Sequence, residues 1–327
     1  MTLLELNRPV STAAAPAGPA DIALPLMGAL KRYGLSTRFT LHGPEEAPIV
    51  VLLGGISADR FPCLRSDGAA GWWCGLAGEG RAVDPAAFRI LGLDFAADPA
   101  GRNAPETREQ AEIVGAALDQ IGAARAHAVI GASYGGMIAL ALGQHFPERA
   151  ERLVVVSADA APHPASTAMR DLQRRIVALG LENGNADEAL SIARGLAMMT
   201  YRTREEFAER FDGGISGEAT LGRSQPGDYL RARGSAFRTR MTPQRFLSLS
   251  ASIDRHRVDP GAIALPALLI GADSDQLVPA SQMEMLAASL RGPARLHLLP
   301  SLYGHDMFLK DADRVANLVA PFLGEAL

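Results

Sequence analysis

The stretch Ala128-Val129-Ile130-Gly131-Ala132-Ser133-Tyr134-Gly135-Gly136-Met137 constrains this chain more than any other. An apolar run ends in Gly-x-Ser-x-Gly, and an Ala/Leu-rich helical pattern begins at once. That reads as a strand, a sharp turn and a helix, with a serine at the apex. So tight a turn forces the serine into a strained backbone conformation and lifts its hydroxyl clear of the sheet. Gly131 and Gly135 flank it because side chains there would strike the neighbouring strand and helix. Ser133 is therefore a candidate nucleophile. The bland alternative is a glycine-rich turn with an incidental serine. A base, an acid and an oxyanion hole in the right places would separate the two.

The rest of the chain supplies a sheet for this turn to stand on. Arg38 to His42 reads as a short strand. Ala47 to Leu53 is a continuous apolar run ending in Gly54-Gly55, and continuous apolarity marks a strand buried on both faces. Phe88 to Phe95 is the next strand. Thr107-Arg108-Glu109-Gln110 resembles a capping box, and the helix after it places Ile113, Val114, Ala117, Leu118 and Ile121 on one face. Arg152 to Ser157 is a further strand. From His163 the pattern changes, and Thr167–Leu179, Ala186–Met199 and Arg204–Phe211 all read as helix. Alternation resumes with a strand at Ala267–Gly271, a helix at Ser281–Leu290, a last strand at Ala294–Leu299 and a last helix at Ala312–Leu323. The expected fold is α/β: a mostly parallel sheet with helices on both faces and a helical lid inserted into it. The expected division is a loose tail over 1–20, a core of 21–161 and 258–327, and a lid over 162–257.

Two loops at strand C-terminal ends carry the partners that Ser133 needs, where α/β sheets place their sites. Gly271-Ala272-Asp273-Ser274-Asp275 offers two carboxylates, and Asp275, four residues before Pro279, is the better placed. Tyr303-Gly304-His305-Asp306 follows the last strand. The chain order is then Ser133, Asp275, His305. His305 would take the serine proton and return it to a leaving group, while Asp275 holds the imidazole in one tautomer. The oxyanion hole is expected from the backbone N–H groups of Ile56 and Tyr134.

Composition narrows the alternatives. A net charge of −4 over 327 residues argues against a nucleic-acid partner. Cys63 and Cys74 give neither a disulfide framework nor metal spacing, so two free thiols in a cytoplasmic protein are expected, with no metal. The first 20 residues lack a basic start and a long apolar core, and no run of about 18 apolar residues occurs, so neither a leader nor a membrane span is expected. Trp72 and Trp73 are read as loop anchors with no chemical role.

Several segments together resemble the homoserine O-acyltransferases of the α/β-hydrolase superfamily, the acyl-CoA-dependent MetX type. Gly304-His305-Asp306-Met307-Phe308-Leu309 is close to that family's Gly-His-Asp-x-Phe-Leu. Gly71-Trp72-Trp73 and Gly80-Arg81-Ala82-Val83-Asp84 are similar to its early loop. Arg194 to Arg202 resembles the lid segment carrying its substrate-binding Arg and Tyr, and Phe246 to Asp254 its later lid. The resemblance covers nearly all the chain after about residue 35. It implies a ping-pong reaction in methionine biosynthesis with acyl-CoA as co-substrate and no cofactor. Ser133 would accept the acyl group and pass it to L-homoserine. Arg194 and Tyr201 would hold the homoserine carboxylate and Asp306 its ammonium, an arrangement that suits a free amino acid because an Arg fork matches a carboxylate. It also implies a homodimer formed through the lid.

The chain departs from the family around the acyl pocket. Gly54-Gly55-Ile56-Ser57 stands where the family commonly has His-Ala-Leu-Thr, and Tyr134 replaces a methionine. The donor is accordingly open between succinyl-CoA and acetyl-CoA, and the acceptor between homoserine and serine. Arg60, near the oxyanion loop, is placed to pair with the distal carboxylate of a succinyl group, which tilts the expectation to succinyl; the alternative is a surface arginine. The rival classes are an esterase or aminopeptidase with the same triad, and a catalytically dead fold used for binding.

Overall fold

A computed structural model describes residues 18–217 and 222–326. One sheet of eight strands organises them, in the order β1-β2-β4-β3-β5-β6-β7-β8. The strands are β1 (Ala20–Pro25), β2 (Ser36–His42), β3 (Ile49–Leu53), β4 (Arg89–Leu93), β5 (Ala128–Ala132), β6 (Leu153–Val156), β7 (Ala267–Ala272) and β8 (Ala294–Leu299). From β4 to β8 every pairing is parallel, while β2 lies antiparallel to both β1 and β4.

The continuous apolar runs have the cause expected of them. Val51, Leu53, Val129 and Val155 face one hydrophobic cluster, and Val50, Leu52, Ile130 and Val156 face a second on the other side. Helices α1 (Thr107–Gln120), α2 (Tyr134–His145) and α8 (Ala280–Ser289) cover the first face. Helix α10 (Ala312–Gly324), preceded by the single turn α9 (Met307–Lys310), covers the second together with Trp73 and Leu76. Trp73 is buried and donates its indole N–H to the Phe308 carbonyl, so the histidine loop rests on it.

Among the described residues, five α-helices lie between β6 and β7: α3 (Pro164–Glu182), α4 (Ala186–Tyr201), α5 (Arg204–Arg210), α6 (Gln225–Phe237) and α7 (Pro243–Arg255). Local chemistry starts them: the Thr203, Ser224 and Thr242 hydroxyls each accept a first-turn N–H, and Pro226 and Pro243 sit in the first turns of α6 and α7. Helix α7 ties this layer to the sheet. Ser252 Oγ bonds the Tyr134 hydroxyl at 2.6 Å, and His256 bridges Thr107 Oγ1 at 2.7 Å and the Asp159 carbonyl at 3.1 Å.

Two local expectations need correction. Among the described residues the first strand is β1, not Arg38–His42; it starts opposite Leu41 at Ala20, the last residue of the segment read as tail, and residues 1–17 lie outside the described residues. The capping box exists one residue earlier than read: Glu106, not Thr107, is the cap, and it exchanges bonds with Glu109. Among the described residues no helix is long and apolar enough to cross a membrane.

Candidate active site

The sequence of β5 and α2 produces the turn at Ser133. Its backbone sits at φ 54°, ψ −118°, a region that non-glycine residues avoid. Such a conformation costs about 1–3 kcal/mol and must be imposed by its surroundings. Here the Ser133 N–H donates to the Val156 carbonyl at 2.8 Å and the Gly135 N–H to the Gly54 carbonyl at 2.8 Å. A Cβ on Gly131 would run into the Gly135 carbonyl, and one on Gly135 into that of Leu53. Both glycines are required by space.

Three side chains from three strand ends meet here. Ser133 Oγ lies 2.8 Å from His305 Nε2, and His305 Nδ1 lies 2.8 Å from Asp275 Oδ2. Asp275 Oδ1 accepts from the N–H groups of Leu277 at 2.8 Å and Val278 at 3.1 Å, so the carboxylate is fixed from both sides. Since a carboxylate faces Nδ1, that nitrogen carries the proton and Nε2 accepts from the serine hydroxyl. Burial alone would push the imidazole's pKa down; the Asp275 carboxylate outweighs it, Asp306 adding, and leaves His305 above the ordinary histidine value. Asp273 is exposed and, among the described residues, its carboxylate accepts a hydrogen bond from the Ser301 N–H alone. Gly304, at φ 55°, carries the histidine loop against the Tyr201 carbonyl, so α4 and the triad are positioned together.

Tyr134 opens α2, and an N–H in a helix's first turn has no partner within the helix. Among the described residues neither it nor the Ile56 N–H is taken by another protein group. Ile56 and Tyr134 border the cavity that holds Ser133, as an oxyanion hole requires.

Ser133 and His305 lie where two cavities meet. An inner recess runs under α3 and α7, bordered by Ser157, Asp159, Arg170 and Gln173. An outer cleft runs between the oxyanion loop, α4, α6 and the histidine loop. Arg194 and Tyr201 line both. The Arg194 guanidinium stacks 4.9 Å from the Phe237 ring and 5.1 Å from that of Tyr201, with no carboxylate partner among the described residues. Asp306 borders the outer cleft but is not free: its Oδ2 pairs with Arg202 at 3.0 Å, and Arg202 also holds Glu206.

Arg60 is not where the sequence reading placed it. Its guanidinium bonds Asp21 at 2.7 and 2.8 Å and Asp94 at 2.8 Å, and it borders neither cavity. The partner that holds it, Asp21, lies on the unread strand β1. Three residues of the site carried no sequence signal of their own. Arg202 is buried beneath Asp306. Arg170 faces the inner recess with Nε on Asp254 at 2.7 Å. Ser157, the second non-glycine residue at positive φ (49°), is buried in the recess wall with no partner for its hydroxyl among the described residues.

Comparison with known proteins bears on the family and the fold. The family model for the alpha/beta hydrolase fold matches residues 48–312. A homoserine O-succinyltransferase of Xanthomonas campestris pv. campestris is 39% identical over 94% of this chain and 83% of its own length. A homoserine O-acetyltransferase of Thermus thermophilus is 34% identical over 80% of this chain and 74% of its own. Among solved structures, a homoserine O-acetyltransferase from Bacillus anthracis superposes with a TM-score of 0.82 at 16% identity, over 94% of this chain and 97% of that one. Esterase E22 reaches the same TM-score, 0.82, at 17% identity, over 93% and 99%. Similarity at that level concerns the fold alone.

Proposed function

This chain belongs to the homoserine O-acyltransferases of the α/β-hydrolase fold family, and from that membership we propose that it is an acyltransferase moving an acyl group from coenzyme A to the hydroxyl of L-homoserine through an ester on Ser133. In the first half, His305 Nε2 takes the Ser133 proton as Oγ attacks the thioester carbonyl. The N–H groups at Ile56 and Tyr134 receive the oxyanion, a contribution typically worth about 3 kcal/mol per donor. The intermediate collapses, the carbon–sulfur bond breaks, and the imidazolium returns the proton to the departing thiolate. In the second half, the homoserine hydroxyl gives its proton to His305 and attacks the Ser133 ester. The product ester leaves, and Ser133 regains its proton. Asp275 keeps Nδ1 protonated throughout and stabilises the imidazolium. The product is an activated homoserine ester of the kind methionine biosynthesis consumes.

One observation carries this reading over hydrolysis. Arg194 and Tyr201 border both cavities at the point where Ser133 and His305 face them. An amino acid held there by its carboxylate would present its hydroxyl to the imidazole in place of water, with its ammonium toward the oxygen of Asp306 that Arg202 leaves open.

The favoured donor is succinyl-CoA. The Xanthomonas relative is named a succinyltransferase, and Arg170, not Arg60, borders the inner recess as a cation in addition to Arg194; its Nη1 has no partner among the described residues. Acetyl transfer is the second reading, supported by the Thermus relative, and serine is an alternative acceptor, since an L-serine/homoserine O-acetyltransferase of Streptomyces lavendulae is 30% identical over 93% of this chain. The test is a matrix of coenzyme A release rates, with homoserine and serine against succinyl-CoA and acetyl-CoA. The highest rate is expected for homoserine with succinyl-CoA; a rate independent of acceptor would sink the assignment. The same reading pairs two copies through the lid, where α3 and α4 expose Leu179 (59%), Ile192 (53%) and Met199 (46%). Light scattering would then give twice the 34.5 kDa chain mass.

A further inference from the structure

The outer cleft carries more positive charge than its own ion pairs account for. Arg194, Arg202, Arg233, Arg240 and Lys310 border it, against the single carboxylate of Asp306. Arg202 pairs with Asp306 and with Glu206. Arg194 sits inside, at the junction with the recess. That leaves Arg233, Arg240 and Lys310, all exposed, with no carboxylate partner among the described residues. Many arginines elsewhere are paired, as Arg32, Arg38, Arg65, Arg149, Arg170 and Arg295 are, though Arg102, Arg108, Arg175 and Arg291 are exposed with no carboxylate partner among the described residues. The chain as a whole is net negative at −4, so these cations are not part of a general basic surface. They come from two stretches of the chain: Arg233 inside α6 with Arg240 just past its end, and Lys310 at the end of α9. Folding brings these two stretches to the outer cleft, which Ser133 and His305 also line.

Unpaired cations at the rim of a cleft focus field lines and concentrate anions at its entrance. Arginine and lysine suit phosphate in particular, as fork and as point charge. Between this rim and Ser133 the wall is largely uncharged, formed by Gly55, Trp72, Met198, Phe308 and Leu309. A ligand matching both parts is charged at one end, neutral and extended in the middle, and reactive at the other end. On the acyltransfer reading above, that describes the donor. We propose that Arg233, Arg240 and Lys310 form the docking site for the diphosphate and 3′-phosphate of the coenzyme A donor. The neutral pantetheine arm lies along the cleft wall, and the acyl group passes beyond Ser133 into the inner recess. Donor and free thiol use the outer cleft, and the recess sees only the acyl chain.

The test compares two donors that share a thioester and differ in the phosphates: succinyl-CoA and the succinyl thioester of N-acetylcysteamine. The enzyme variants are Arg233→Ala, Arg240→Ala, Lys310→Ala and the triple combination. In the triple variant the KM for succinyl-CoA should rise on the order of tenfold, the sum of three exposed charge interactions, with kcat held near wild type. Its kcat/KM for the truncated thioester should stay unchanged, which also reports an intact fold. Adding salt should lower wild-type kcat/KM for succinyl-CoA and affect the variant much less. Adenosine 3′,5′-bisphosphate should compete with succinyl-CoA in the wild type and lose potency in the variant. Equal losses with both donors, or no loss with either, would overturn the docking site. A wild-type enzyme that transfers from neither succinyl thioester, nor from acetyl-CoA run alongside them, would overturn the acyltransfer reading beneath it.

Discussion

At the scale of single residues, the triad was legible because each member sits in a short motif at a strand end, and chain order ties the motifs together. Ser133, Asp275 and His305 are held by backbone N–H groups and by one another. Arg60 was misread for a physical reason. Sequence shows its nearness to the oxyanion loop but not the two carboxylates, Asp21 and Asp94, that hold it. Ser157 gave no signal because its interest lies in a backbone angle and a missing partner, which no motif encodes. The electrostatics of His305 predict a pH profile. A base must be neutral to accept a proton, and the Asp275 carboxylate raises the pKa of His305. The acid limb of kcat/KM should therefore lie above the ordinary histidine value of about 6.5. Asp275→Asn removes that charge and misplaces the tautomer, so kcat should fall by about 10⁴ and the acid limb should move to lower pH. An unmoved limb in this variant would show that Asp275 does not set the base.

At the scale of elements, long periodic segments were legible and short edges were not. Helices α3, α4 and α5 were read from their patterns, whereas α6 and α7 were not read individually, although Ser224, Thr242 and prolines mark their starts. β1 did not, because it is a short edge strand ending in Pro25 with most positions at the surface. The clasp between α7 and α1 was equally hidden, since Thr107 and His256 are 149 residues apart. Burial pushes the His256 pKa down to about 3. With its ring neutral, Nε2–H donates to the Asp159 carbonyl and Nδ1 accepts from the Thr107 hydroxyl. A group whose folded pKa is depressed this way binds a proton more readily when unfolded. Its contribution is thus fully present above about pH 6.5 and is lost as pH falls toward 3. From pH 7 to pH 5 the stability advantage of the wild type over His256→Asn should shrink by about 2 kcal/mol. Urea melts at the two pH values check this, and an advantage equal at both would mean that the ring is not held neutral.

At the scale of the whole molecule, a parallel sheet brings three loop ends to one edge, and the helical layer above closes the space into two cavities. Fold class and triad followed from sequence, but the division of that space did not. It depends on how α3, α4, α6 and α7 pack, which is a tertiary property. Arg194 and Tyr201 line both of those cavities beside Ser133, and the proposed transfer, as against hydrolysis by an esterase of the same fold, rests on them. The most direct measurement is the fate of that intermediate. The enzyme is mixed with succinyl-CoA alone and its intact mass followed; L-homoserine is then added. A mass increase of one acyl group mapping to Ser133, stable alone and discharged into O-acylhomoserine on addition, is the predicted result. An acyl-enzyme that decays equally fast with and without homoserine, or one that never forms on Ser133, would contradict it.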